Sequence, residues 1–264
     1  MNVFREPEFR FAARTASGQL LVSCQSTHTV VVTNENGTAT GEAITADFDH
    51  PQGIAVDPAT DEIYVVDRYN HCVKVFDALF NLQRTFGAGD LNQPVGIALT
   101  DTDVHVANNE NHNIAVFSKA DGALRHLDFT SSRLYCPCGV ALYKGLLLIA
   151  EWGNGALKVV HENTAALVLR GIPHAVAVDN STALVLNGIP HAHAVAVDPD
   201  GNVYVAQYSD KKIVRLKIDT NADGSTGFVI NDNPIQLDSH PTSLFWDDHE
   251  KKMGVVFKTR IQWL

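Results

Sequence analysis

The sequence predicts an all-β protein, a six-bladed β-propeller of four-stranded antiparallel blades, and three observations predict it. A Pro-x-Gly strand signature recurs with a fixed beat: His50-Pro51-Gln52-Gly53-Ile54-Ala55-Val56-Asp57, Gln93-Pro94-Val95-Gly96-Ile97-Ala98-Leu99 and Cys136-Pro137-Cys138-Gly139-Val140-Ala141-Leu142, with the prolines 43 residues apart each time. Self-similarity at that period marks repeat architectures, and about 40–50 residues is the size of one propeller blade. Second, each signature is followed by short apolar runs rich in β-branched and aromatic residues and bounded by Asp, Asn, Gly and Pro, which read as strands. Third, no helix-period segment is left over once the strands are assigned.

The units follow in order along the chain. Pro7 to Gly37 forms the first, with Leu20-Leu21-Val22-Ser23 and Thr29-Val30-Val31-Val32 as its second and third strands. Units beginning at Pro51, Pro94 and Pro137 carry second strands at Ile63-Tyr64-Val65-Val66, Val104-His105-Val106-Ala107 and Leu146-Leu147-Leu148-Ile149. Their third strands are Cys72-Val73-Lys74-Val75-Phe76, Ile114-Ala115-Val116-Phe117 and Leu157-Lys158-Val159-Val160. A variable fourth run such as Leu82-Gln83-Arg84-Thr85-Phe86 precedes the next proline. The fifth unit begins near Pro190 and the sixth near Pro241, so the 264 residues read as one domain. The last unit is one strand short. Val3-Phe4-Arg5 is expected to complete it, because a closed ring removes exposed sheet edges.

One segment breaks the beat. Residues 166–179 are nearly repeated by 183–198, so that 166–188 reads as a tandem duplication that stretches the spacing from Pro137 to Pro190 to 53. A surface hairpin, a partial seventh blade and an error in the sequence all fit; six blades with an insertion is the reading adopted.

Composition limits function. Hydrophobic residues make up 45% of the chain and charged residues 19%, which supplies a core and argues against disorder. The formal charge of −10 disfavours nucleic acid and anionic lipid as partners. Between Arg14 and Arg68 there is no Lys or Arg but eight acids, including Asp47, Asp49, Asp61 and Glu62, an acidic sector expected to meet a protein partner with a basic surface. The N-terminal residues lack the apolar core of a secretory signal and no run approaches a membrane span, so an intracellular, cytoplasmic location is expected. Four cysteines are too few for a disulfide scaffold.

The segments Asp67-Arg68-Tyr69-Asn70-His71-Cys72 and Asn108-Asn109-Glu110-Asn111-His112-Asn113, each following a Pro-x-Gly-Ile-Ala strand, resemble the NHL repeat, named for an Asn-His-Leu triplet. The resemblance covers most of the chain, is strong in units two and three, and fades to Glu151-Trp152-Gly153-Asn154 and Gln207-Tyr208-Ser209-Asp210 in units four and five. It implies the NHL and TolB-like class of propellers, in which the polar pattern serves turn chemistry and specifies fold, not activity.

In such a ring the loops leading to the inner strands line one mouth of the central channel. Counting one residue past each proline places Glu8, Gln52, Val95, Cys138, His191 (or His174 in the duplicate) and Thr242 there. Similar NHL-fold amidating lyases carry a metal-binding His after Pro in three alternate units; this chain matches only at Pro190-His191 and its copy Pro173-His174. His191 and His193, at i and i+2 of a strand, share a face and with Cys138 form a candidate zinc set, His174 being the duplicate. Asp219, Asn221 and Asp223 match the first half of a calcium loop, but Ile230 stands where a bidentate Glu belongs. Lactonases of the regucalcin-like class, also similar, hold metal with Glu, Asn and Asp, which the mouth positions other than Glu8 do not supply. RNA-binding NHL propellers of tripartite-motif proteins use a basic mouth that the same positions lack. With no nucleophile elbow, phosphate loop or zinc-type Cys pair, the expected function is a non-catalytic protein-interaction scaffold, with no cofactor. A metal-dependent lyase or hydrolase, holding zinc or calcium at the channel mouth, is the rival.

Overall fold

The computed structural model of the chain describes residues 8–34, 38–128, 134–161, 175–177, 183–187, 189, 191–220, 226–248 and 250–264. Blade one consists of β1 (Phe9–Arg14), β2 (Leu20–Cys24), β3 (Thr29–Thr33) and β4 (Ala39–Ile44). Blade two holds β5 (Pro51–Val56), β6 (Ile63–Asp67), β7 (Cys72–Phe76) and β8 (Leu82–Phe86), and blade three β9 (Ile97–Leu99), β10 (Asp103–Asn108), β11 (Asn113–Ser118) and β12 (Leu124–Asp128). Blade four is built from β13 (Pro137–Tyr143), β14 (Leu146–Glu151), β15 (Ala156–His161), β16 (Ala175–Ala177) and β17 (Ala183–Asn187). β18 (Ala192–Val197), β19 (Asn202–Gln207), β20 (Lys212–Thr220) and β21 (Thr226–Gln236) make blade five; β22 (Ser243–Asp247), β23 (Lys252–Val256) and β24 (Ile261–Trp263) make blade six.

Every sheet is antiparallel, five of the six are simple meanders, and the architecture is the six-bladed propeller that the repeat predicts. The inner strands pack in a ring, β1 on β5, β5 on β9, β9 on β13, β13 on β18, β18 on β22 and β22 back on β1. Val3-Phe4-Arg5, expected to complete blade six, lies outside the described residues, as do Pro7 and Pro190. No helix among the described residues is long and apolar enough to cross a membrane.

The duplicated segment shows how tertiary context overrides local sequence. Ala194-Val195-Ala196 lies in the innermost strand of blade five, whereas its copy Ala175-Val176-Ala177 is the outermost strand of blade four. Blade four accordingly has five strands in the order β13-β14-β15-β17-β16. The same alternating Ala/Val run suits either place, because strand preference reflects the surface it is packed on.

Apolar side chains fill the space between blades. Tyr64, Val66, Val73 and Val75 of blade two pack against Val104, Val106, Ala115 and Phe117 of blade three, and Leu148, Leu157 and Val159 of blade four against Val195, Val203 and Val205 of blade five. The inner strands come closest where a glycine stands third in the signature. Gly53 N–H donates to the Val95 carbonyl at 2.9 Å, and Gly96 and Gly139 likewise abut the backbone of the next inner strand.

The repeat histidines join one blade to the next. His28, His71 and His112 close the β2–β3, β6–β7 and β10–β11 turns in the left-handed region, with φ of 54°, 53° and 55°. Each Nδ1 accepts a backbone N–H from the residue preceding the next unit's proline: His50 at 3.2 Å, Gln93 at 3.0 Å and Cys136 at 3.2 Å. Those three donor residues are themselves left-handed, so two tight turns of neighbouring blades are locked together. His71→Ala should lower stability by about 1–2 kcal/mol by orphaning the Gln93 N–H. Urea denaturation checks this, and an unchanged midpoint would mean that the latch contributes nothing.

Candidate functional site

Pairing registers show which residues surround the channel mouth. The inner strands of blades one and two begin with a three-for-two bulge against their neighbours: Phe9 and Ala12 oppose Cys24 and Val22, as Pro51 and Ile54 oppose Asp67 and Val65. Arg10 therefore stands where Gln52 does, one residue inside the strand. In blade five Ala192 pairs with Gln207 and Ala194 with Ala206, as Pro137 pairs with Glu151 and Gly139 with Ala150, so that His193 is the equivalent of Cys138. The mouth ring is thus Arg10, Gln52, Val95, Cys138, His193 and Thr242. This corrects two positions obtained by counting from proline. Glu8 and His191 each stand two residues earlier, in the slot of Cys136: Gln25 N–H donates to the Glu8 carbonyl and Tyr208 N–H to that of His191, as Trp152 N–H does to that of Cys136.

A second ring comes from the turns that follow the second strands: Gln25, Arg68, Asn109, Trp152 and Tyr208, with Lys258 in the shorter turn of blade six. Below both, the third inner-strand position is Gly53, Gly96, Gly139, Ala194 and Ser243 in five blades and Phe11 in the first. The Phe11 ring spans from blade one to His193 on blade five, with centroids 6.4 Å apart, and floors the mouth. Trp152 stands 5.6 Å from His193, 4.9 Å from His191 and 5.7 Å from Tyr208, and Tyr208 stacks on His240 at 4.8 Å. One wall is aromatic; the other is cationic.

Arg10 donates from Nη2 to Glu8 Oε2 at 3.4 Å, and Glu8 Oε1 is 3.5 Å from Lys258 Nζ. Arg68 donates from Nη2 to Gln93 Oε1 at 3.1 Å and lies over the Tyr69 ring. Desolvation pulls the Arg10 pKa below its ordinary value; Glu8 counteracts this and the like charge of Arg68 adds to it. Burial likewise brings His193 down to about 4; repulsion from Arg10, and to a lesser degree from Arg68, adds to this, and a hydrogen bond to the Thr242 backbone opposes it. The Cys138 thiol is pushed up to about 12 by burial, and Asn109 Nδ2 donates to it at 3.4 Å and to the Pro137 carbonyl at 3.0 Å. At neutral pH the mouth therefore offers a protonated thiol and an uncharged imidazole, neither poised as nucleophile or strong base.

A neutral His193 has a consequence for acid stability. Its folded pKa lies below the unfolded value of 6.5, so its contribution is complete above pH 6.5 and is lost as pH falls toward 4. His193→Gln should show a shallower fall in Tm across that window than the wild type; equal slopes would contradict the assignment.

The candidate zinc residues do not assemble. His191 is exposed in a left-handed turn, with φ of 52°, and His193 lies in β18, with Trp152 packed against both. Among the described residues, the group whose ligand atoms come together is instead His28, Asp49 and His50. There His28 Nδ1 accepts the His50 N–H of the blade-to-blade latch, and His50 Nδ1 is 2.6 Å from Asp49 Oδ1 within its own loop. His174, Asn221 and Asp223 lie outside the described residues, while the backbone of Asp219 pairs with Gly227 in the β20–β21 ladder.

The acidic sector divides between the two ends of blade two. Asp47 and Asp49 lie on the mouth side, before β5, whereas Asp61 and Glu62 occupy the β5–β6 turn at the other end. Asp61 accepts the Ala16 N–H at 2.8 Å, and Glu62 is held by Arg84 through a two-pronged pair at 2.6 and 2.9 Å. That far end also carries two clefts, of about 410 and 620 Å³. Their main charges are already paired, Arg14 with Asp247 at 2.6 Å and Lys119 with Asp57 at 2.7 Å.

A family profile for the NHL repeat matches residues 48–76, the segment from the blade-two loop through β7. The chain carries an NHL repeat within a six-bladed β-propeller. No curated protein sequence matches it. Among solved structures this propeller is similar to virginiamycin B lyase from Staphylococcus aureus with quinupristin, at 13% identity and a TM-score of 0.66, over 96% of this chain and 78% of that one. Hydrazine synthase of Kuenenia stuttgartiensis shares 13% identity with a TM-score of 0.65, over 100% and 97% of the two chains. A chain of a nidogen/laminin complex shares 15% with a TM-score of 0.67, over 90% and 84%. At these identities the likeness is one of fold, and it spans a lyase, a synthase and a protein complex, so function rests on the site itself.

Sequence reasoning missed Arg10, Arg68, Trp152, Tyr208 and Lys258 as mouth residues. A usable signal exists for the first. Counting two residues back from each apolar inner run, Ile54-Ala55-Val56 or Ala12-Ala13-Arg14, gives Gln52 and Arg10 directly, where counting from proline fails in units that lack the motif.

Proposed function

We propose that this NHL propeller is a non-catalytic recognition module that docks a protein partner on its channel-mouth face. The observation that carries the reading is the composition of that mouth, in which aromatic rings and hydrogen-bond donors converge while burial keeps the thiol protonated and leaves the imidazole a weak base. A metal-dependent lyase would need three or four converging ligands, and His191, His193 and Cys138 are not so gathered. Asp47 and Asp49 stand on the rim of the same face and would meet basic side chains of the partner; Asp61 and Glu62, at the far end, would not. Exchange of Asp47 and Asp49 for lysine should weaken capture of a co-purifying partner by about tenfold, mainly through slower association, whereas the same exchange at Asp61 should leave it unchanged. Equal effects at both ends, or none at the mouth, would sink the proposal. So would turnover that needs an added divalent ion.

A further inference from the structure

We infer that the centre of the mouth is a carboxylate receptor: Arg10 and Arg68 grip the anion, and Trp152 and Tyr208 pack on the apolar group that bears it. The inference rests on the mouth being the docking face and names what is held there.

Unmet donors are the first argument. Among the described residues, Arg10 Nε and Arg68 Nε are buried without a hydrogen-bond partner, and the bonds formed by their Nη2 atoms, to Glu8 and Gln93, leave most of the five donors on each guanidinium unused. Donors enclosed away from water are costly until an acceptor arrives. Local charge is the second. Of the three cations there, Arg10 and Lys258 share Glu8 as their acid, and Arg68 is bonded to the uncharged side chain of Gln93, a local inversion in a chain of net charge −10. Two guanidiniums from adjoining blades held at one opening repel each other, and an anion between them removes that repulsion.

The class of anion follows from the surroundings. A planar guanidinium fork matches a carboxylate in two-pronged geometry. A polyanion reaching the mouth would also meet Asp49 and the overall negative field of the protein, whereas a single carboxylate would not extend so far. Beside the cations, Trp152, Tyr208 and Phe11 supply the apolar surface that a bare inorganic ion would not use. The carboxylate can come from a small organic acid or from the C-terminus of a partner chain.

Isothermal titration of the full chain with 3-phenylpropionate, its neutral amide, inorganic phosphate, and a short peptide ending in phenylalanine with free or amidated C-terminus tests this. The acid should bind at least about tenfold more tightly than its amide, and Arg10→Gln and Arg68→Gln should each cost about tenfold, while Arg125→Gln, an equal charge change on the outer strand of blade three, should not. Trp152→Leu should weaken the acid without altering the preference for acid over amide, which keeps the test open should an arginine variant fold poorly. Acid and amide binding alike, phosphate binding more tightly than the acid, or an unaffected Arg68→Gln would overturn the inference. If phenylpropionate binds but the free-acid peptide does not, the receptor stands with a small-molecule source and the protein-docking reading falls; peptide binding that requires the free C-terminus supports both.

Discussion

Replacing Asp67 by alanine is expected to destabilise the protein by about 3–5 kcal/mol, the scale of leaving one partner of a buried ion pair uncompensated. Asp67 is fully buried at the end of β6, with Oδ2 2.7 Å from Lys74 Nζ. Its Oδ1 accepts the Asp49 N–H at 2.8 Å and its Oδ2 accepts from Asn70 Nδ2 at 2.8 Å. Lys74 in turn donates to the carbonyls of Ala46 and Asp47 at 2.6 and 3.0 Å. One carboxylate thereby ties the loop that delivers β5 to the channel. Asn108 and Glu151 occupy the same slot in blades three and four and accept the N–H of Asn92 and Tyr135, so this bracing is a property of the repeat. In urea denaturation the Asp67→Ala/Lys74→Met pair should recover much of the loss, since no buried charge then remains unmatched. A single variant within about 1 kcal/mol of wild type would refute the account.

Gly53→Ala should cost about 2–3 kcal/mol by overpacking. A Cβ at Gly53 would lie 2.6 Å from the Val95 carbonyl oxygen and 3.1 Å from the Ile97 nitrogen. Both are backbone atoms of the adjoining inner strand, and neither can swing aside without moving β9 and breaking the Gly53–Val95 hydrogen bond. The denaturation midpoint should fall with an unchanged m-value, because the surface exposed on unfolding is the same. A variant as stable as the parent would show that the inner ring yields more readily than its spacing implies.

The blade pattern was readable because each unit repeats a local grammar. Pro51, Pro94 and Pro137 mark the start of inner strands, Ile63–Asp67 and its counterparts the second strands, and His71 and His112 the turns. The role of those histidines as latches was not readable, since each bonds a residue more than twenty positions away in the next blade. Asp61 and Glu62 looked continuous with Asp47 and Asp49 in sequence, yet a six-residue strand, roughly 20 Å long, carries them to the opposite end. His191 looked like the mouth residue of unit five because it follows a proline; the bulge placed His193 there instead.

By itself, then, the sequence determined the architecture: a period of 43 residues, short β-branched runs and polar turns admit few arrangements other than a ring of antiparallel blades. Only the tertiary structure decided what the ring presents. Arg10, Arg68, Trp152, Tyr208 and His193 come from four blades and meet because closure brings the mouth ends of the inner and second strands to one axis. Which side chain of each strand faces that axis depends on a bulge, and shifting a strand by one residue exchanges its two faces.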